Sequence, residues 1–219
     1  MFDSTTINML IEGTLATIYM TLASTFLGYL LGLPMGIVLT VTDKDGIKPN
    51  GFIYKVLDFI ANTVRSIPFL ILMILLIPLS RFLIGKSYGS TATIVTLVVA
   101  AAPYIARMVE SSLKEVDAGV IEAARSMGAS DMDIIFKVML VEARTSLIVG
   151  ATITLGTILG YSAMAGTLGG GGLGDIAVRY GYHRYDAVIM GITVFILIIL
   201  FQIFQTIGMA IASGLDRRK

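Results

Sequence analysis

Long apolar runs separated by short charged stretches set the pattern of the chain. No Asp, Glu, Lys, Arg or His occurs in Gly13–Thr42, Ser66–Ser80, Ser87–Ala106, Thr145–Gly174 or Ala187–Leu215. A helix crossing the hydrocarbon core needs about 20 mostly apolar residues, with a range of roughly 17–25. Four of the runs reach that length directly. Ser66–Ser80 reaches it once Phe59–Val64 is added and Arg65 stretches its charged end toward the headgroups. The pattern predicts an all-α integral membrane protein, one domain over 1–219, with spans near 14–41, 59–80, 88–110, 145–165 and 187–211.

Inside the runs the small residues are spaced for helix packing. Gly28, Gly32 and Gly36 repeat every four residues, a smooth stripe along which another backbone can approach closely. Gly156 and Gly160 repeat the spacing in the fourth run. Pro34, Pro68 and Pro103 lie in or at the ends of the first three spans, where proline kinks or terminates a helix.

Composition agrees: 56% of residues are hydrophobic and 14% charged, against about 25% charged in a soluble domain. Mean hydropathy is +0.87. A net charge of +1 offers no basic patch for nucleic acid, and the lack of cysteine excludes disulfides and Cys-ligated metals. The start, MFDSTTINML, has no basic region and precedes a run too long for a signal-peptide core, so the first span is expected to be retained. Lysine and arginine set the orientation. Lys44, Lys48, Lys55, Arg107, Lys114, Arg125, Lys137, Arg144, Arg217, Arg218 and Lys219 fall on one side, and only Arg81, Lys86, Arg179 and Arg184 on the other. The N-terminus is therefore expected outside and the C-terminus in the cytoplasm.

Two stretches imitate nucleotide sites. TLGGGGLGDIAVRYGY at Thr167–Tyr182 holds a G-x-G-x-x-G at Gly169, Gly171 and Gly174. That fingerprint carries meaning only between a strand and a helix, and here it follows a helical span. SRFLIGKS at Ser80–Ser87 ends like a P-loop but has Ser80 at the first glycine position. Both belong to outward turns, as does the lone His183. The glycines read as a helix-breaking turn in an external loop over 166–186, with one short helical turn expected at Asp175–Tyr180. No catalytic residue and no metal site is expected, so the chain is not read as an enzyme.

The informative polar stretch is 113–143. Asp117 is a good N-cap, Ala118–Met127 is helical in pattern, and Gly128 suits a left-handed C′ position. Ser130 and Asp133 resemble a capping box, with Asp131 and Asp133 at the positive helix end. Met132, Ile135, Val138 and Met139 are expected on one face of the second helix. Such a helix can lie in the headgroup layer or meet a protein. The headgroup layer favours a Lys/Arg-rich polar face, and Lys137 is outnumbered by Asp131 and Asp133, which favours a protein partner.

Glu122-Ala123-Ala124, followed by Gly128, resembles the EAA loop of ABC-importer permeases, although Val141 replaces the proline that closes the family motif. NTVRSIPFLI (62–71), AAPYIARMVE (101–110), GYSAMAGTLGGGGLG (160–174) and RYGYHRYD (179–186) are similar to methionine-importer permeases, so the resemblance covers nearly the whole chain. It implies the small type I permease fold and a homodimer with two copies of a P-loop ATPase. It also implies an external substrate-binding protein, expected as a lipoprotein, and membrane lipid around the spans. No cofactor is expected on the chain itself, because ATP and Mg2+ are bound by the ATPase. Glu122, Ala123, Ala124 and Gly128 become ATPase-coupling residues, with Glu122 expected to hold the loop by hydrogen bonding. Tyr161, Ser162, Met164 and Gly170 become a candidate outer gate, with tight packing by the glycines as the competing reading. The implied cargo is methionine, L- and D-, and the alternatives are another amino acid or a secondary transporter. Ion-coupled carriers bury an ionisable group in the membrane, which the five charge-free runs lack.

Overall fold

The computed structural model describes residues 3–215, and all regular structure among them is helical. Four helices are long and apolar enough to cross a membrane: Ser4–Thr42, Ser90–Lys114, Arg144–Leu168 and Ala187–Leu215. The first of these, α1 (Ser4–Thr42), has 39 residues, about 58 Å at 1.5 Å per residue. It therefore starts ten residues before the expected boundary and outreaches a hydrocarbon core of about 30 Å. Pro34 is accommodated inside it. Thr17, Thr21, Thr25, Thr40 and Thr42 satisfy their hydroxyls on the carbonyls four residues earlier.

The second expected span is not one helix. α2 (Gly51–Ser66) and α3 (Phe69–Leu75) meet at an angle of 104°, and α4 (Ile77–Ile84) follows. The break has a local cause. Ile67 is extended, with φ −83° and ψ 125°, as the ring of a following proline requires, and Pro68 opens the next helix. Arg65 lies in the last turn of α2, where a cation suits the free carbonyls.

α5 (Ser90–Lys114) keeps Pro103 inside a continuous helix and runs parallel to α1. A Cβ added at Gly32 would lie 2.6 Å from the Ala102 carbonyl oxygen, and one at Gly36 2.6 Å from that of Ala106. The stripe Gly28, Gly32 and Gly36 is thus the seam where α1 and α5 touch. In α9 (Arg144–Ala165), Gly156 faces the Phe201 ring, whereas Gly160 has open space where a side chain would be, so the second glycine pair does not form a second seam within the chain. The core lies where α1, α5 and α9 converge, around Met20, Leu97, Ile105, Val109 and Ile158. The last helix, α11 (Ala187–Leu215), lies largely along α9.

Two ends of the bundle are pinned differently. At one end Gly89 N–H donates to the Gly169 carbonyl at 2.9 Å, joining the start of α5 to the glycine run. At the other, Lys114 Nζ lies 2.6 Å from Asp43, joining the ends of α5 and α1. The basic residues that the orientation argument groups together share this second end, apart from Arg217, Arg218 and Lys219, which lie outside the described residues.

Candidate functional site

The 113–143 segment forms a small ordered unit at the Lys114 end. Asp117 Oδ1 accepts from Gly119 N–H at 2.7 Å and starts α6 (Ala118–Ser126). Gly128 turns the chain with φ 84°, and Ala129 N–H closes onto the Ala124 carbonyl at 3.1 Å. Ser130 Oγ accepts from Asp133 N–H at 3.2 Å and donates to the Asp133 carboxylate at 2.6 Å. This caps α7 (Asp131–Asp133), which passes into a π-helical turn over Ile134–Met139 and then α8 (Leu140–Glu142). Lys137 Nζ sits 2.5 Å from Asp133. The Lys137 contact first, and the Ser130 hydroxyl second, hold the Asp133 carboxyl down at about 2. The same pair raises Lys137 above the ordinary lysine value.

The inner face of this unit differs from the expected one. Ile134, Ile135 and Met139 are buried with Ala124, while Met132 is 66% exposed. The π-helical turn carries an extra residue per turn and so rotates Ile134 inward. Glu122 does not hold the loop together: it is exposed, and no hydrogen bond to it occurs among the described residues. It lines a cleft of about 450 Å³ together with Asp43, Lys114 and Arg125. The loop is held instead by Arg125, which donates to the Ile47 carbonyl at 3.1 Å. Ala123 faces outward and Ala124 inward. The outward surface carries Val120, Met127, Met132 and Phe136, with Met127 83% and Phe136 58% exposed.

At the opposite end the glycine run is a packed re-entry into the bundle rather than a loose loop. α9 ends at Ala165, a 3-10 turn covers Gly166–Leu168, and α10 (Gly172–Ile176) begins inside the glycines. A π-helical turn then occupies Ala177–Tyr182. Gly169, Gly171 and Gly172 have φ of 76°, 78° and 76°, a conformation that only glycine adopts freely. Leu173, fully buried, donates its N–H to Thr17 Oγ1 at 2.8 Å. A Cβ at Gly170 would lie 2.7 Å from the Ala165 carbonyl oxygen, so backbones meet here without room for side chains. Helix thus starts at Gly172, earlier than expected, because tertiary contacts with α1 outweigh the low helix propensity of glycine.

The four candidate gate residues have different surroundings within the chain. Tyr161 stacks on Phe69 with centroids 4.5 Å apart and planes at 4°. Ser162 is buried and donates to the Leu159 carbonyl at 2.8 Å. Gly170 is packed away, and Met164 alone is exposed.

A charged network along α5 escaped the sequence reading. Arg107 pairs with Asp58 of α2 and, at 2.6 Å, with Glu110. Lys114 reaches Glu110 at 2.8 Å and Asp43 at 2.6 Å. The available signal was the spacing of Arg107, Glu110 and Lys114, three and four residues apart on one helix face.

Residues 28–219 match the family of binding-protein-dependent transport system inner membrane components. The chain belongs to this family. Among related inner membrane components, it is 47% identical over 211 residues to the probable D-methionine transport system permease protein MetI of Vibrio cholerae, covering 96% of the chain and 94% of that protein. It is 49% identical over 158 residues to the D-methionine transport system permease protein MetI of Escherichia coli K12, covering 72% and 73%. A solved structure of inward-facing conformations of the MetNI methionine ABC transporter aligns with a TM-score of 0.97 and 44% identity, over 99% of this chain and all of that one. An amino acid ABC transporter solved with histidines shares the fold, with a TM-score of 0.73 at 21% identity over 97% and 95%. As an inner membrane component the chain is a multi-pass protein of the cytoplasmic membrane, and the helical fold expected from the sequence is the one it has.

Proposed function

We propose that the chain is the permease subunit of an ATP-driven importer that carries methionine, in both the L and D forms, across the cytoplasmic membrane. It works as a two-fold homodimer with two copies of an ATPase and receives cargo from an external binding protein. The observation that carries this reading is the outward surface of the 118–142 segment. Met127, Met132, Phe136 and Val120 stay exposed on a unit whose other face is buried and whose helix ends are capped. An ordered helix pair presenting flexible apolar side chains suits a groove on a partner protein. Glu122, Ala123 and Gly128 lie beside that surface and Ala124 beneath it, so the ATPase contact draws on the whole motif.

Methionine rests on the named relatives, and alternating access rests on the likeness to inward-facing transporter structures. Orientation rests on the basic residues gathered at the Lys114 end, which is then cytoplasmic. Met164 projects from the opposite end and is the candidate gate residue between subunits. An ion-coupled carrier is disfavoured by Glu110. This carboxylate is buried, yet Arg107 and Lys114 already neutralise it. The reading is tested by purifying the tagged chain with its ATPase. The wild type should bring the ATPase down, and Phe136→Asp, on an exposed face, should insert normally and lose it. Full recovery of the ATPase with Phe136→Asp would contradict the docking surface.

A further inference from the structure

α2 is attached to the rest of the bundle in an unusual way. Of its 16 residues only Ala61 is buried, and Phe52 and Phe59 point outward at 79% and 70% exposure. Its hold on α5 is polar instead. Arg107 pairs with Asp58 and donates to Asn62 Oδ1 at 3.0 Å. Tyr54 donates to Glu110 Oε1 at 3.3 Å. Glu110, whose side chain is 7% exposed, also accepts from Arg107 at 2.6 Å and Lys114 at 2.8 Å. Lys114 passes the chain of charges on to Asp43 at the end of α1.

Both ends of α2 are built to transmit movement. Its far end is the 104° break at Ile67 and Pro68. Its near end continues into the turn 43–50, and the Ile47 carbonyl of that turn accepts from Arg125 of α6 at 3.1 Å. Any displacement of α6 therefore pulls on the start of α2. A helix held by close apolar packing would resist such a pull, because parting it forfeits many small dispersion contacts at once. The Asp58–Arg107 pair is the less buried part of the network, at 35% and 18% side-chain exposure, and a partly exposed pair parts at smaller cost than a buried one.

We propose that Arg107 and Glu110 are positioning residues for transport: with Asp58 they latch α2 to α5 and restrain ATP hydrolysis until cargo arrives. The latch rests on the importer reading above, and the described arrangement is the one that matches inward-facing structures. Movement of the coupling segment opens the latch through Arg125 and Ile47, and α2 swings about Ile67 and Pro68.

The test uses the whole transporter, permease with ATPase and binding protein, in lipid vesicles. Asp58→Asn keeps the shape of the side chain and removes the ion pair. It is expected to raise ATP hydrolysis without binding protein about fivefold and to lower cargo moved per ATP. Moving the carboxylate to the second Arg107 contact, Asp58→Asn with Asn62→Asp, should bring hydrolysis back toward the wild-type level. Spin labels at Lys55→Cys and Ser111→Cys, in a chain without native cysteine, follow the α2–α5 distance directly. Its distribution should broaden in Asp58→Asn and narrow in the double variant. Unchanged basal hydrolysis together with an unchanged distance in Asp58→Asn overturns the latch. The distance measurement stands apart from the importer reading: a wild type without ATP-driven uptake strikes that reading, while the broadening still decides the latch.

Discussion

Two glycines of this chain serve opposite purposes, and substitution separates them. Gly128 has φ 84° and nothing within 4 Å of an added Cβ. A side chain there meets only backbone strain, about 1–3 kcal/mol for a β-branched residue. Gly32 has a helical backbone, but an added Cβ would lie 2.6 Å from the Ala102 carbonyl oxygen and 2.8 Å from Ile105 Cβ. Gly128→Val should therefore yield normal amounts of folded protein and lose ATPase binding, whereas Gly32→Val should lose the folded protein itself. Size-exclusion profiles and ATPase recovery, measured on both variants, check this; full transport by Gly128→Val would contradict it. Gly128 was legible in the sequence because cap chemistry is local. The surroundings of Glu122 were not, since the residue that grips the loop, Arg125, acts through Ile47, 78 positions away.

Among the elements, the 113–143 segment is capped at its Ser130–Asp133–Lys137 corner. Asp133 is lowered from 3.8 to about 2, so its contribution is complete above the unfolded value and is lost as pH falls from about 4 toward 2. Lys137 is raised from 10.5, so its contribution is complete below that value and is lost as pH climbs through the raised one. A carboxyl NMR titration should place the Asp133 midpoint near 2, and Lys137→Gln should move it up toward 3.8. A wild-type midpoint at 3.8 would show that the corner is open. Ser130 and Asp133 could be read as a cap from four residues, but the π-helical turn after them could not. It comes with Ile134 packed in the core, a tertiary contact that no local pattern encodes. The broken second span was only partly legible: Pro68 marked a kink or an end, but hydropathy adds up residues regardless of direction and gives no sign that the chain turns by 104° there.

For the whole molecule, the apolar runs and the Gly28–Gly32–Gly36 seam lay open in the sequence, because bilayer thickness and small-residue spacing are one-dimensional signals. The charged network and the re-entrant glycine helix join residues from 43 to 114 and from 17 to 173, and no local pattern encodes those pairs. The proposed role is a conduit driven by another subunit's ATP hydrolysis. It is tested most directly by methionine uptake into vesicles containing the purified permease with its ATPase, supplied with binding protein outside and ATP inside. Uptake of labelled methionine should require all three proteins and ATP and ignore collapse of the proton and sodium gradients. Uptake by the permease alone, driven by either gradient, would contradict it.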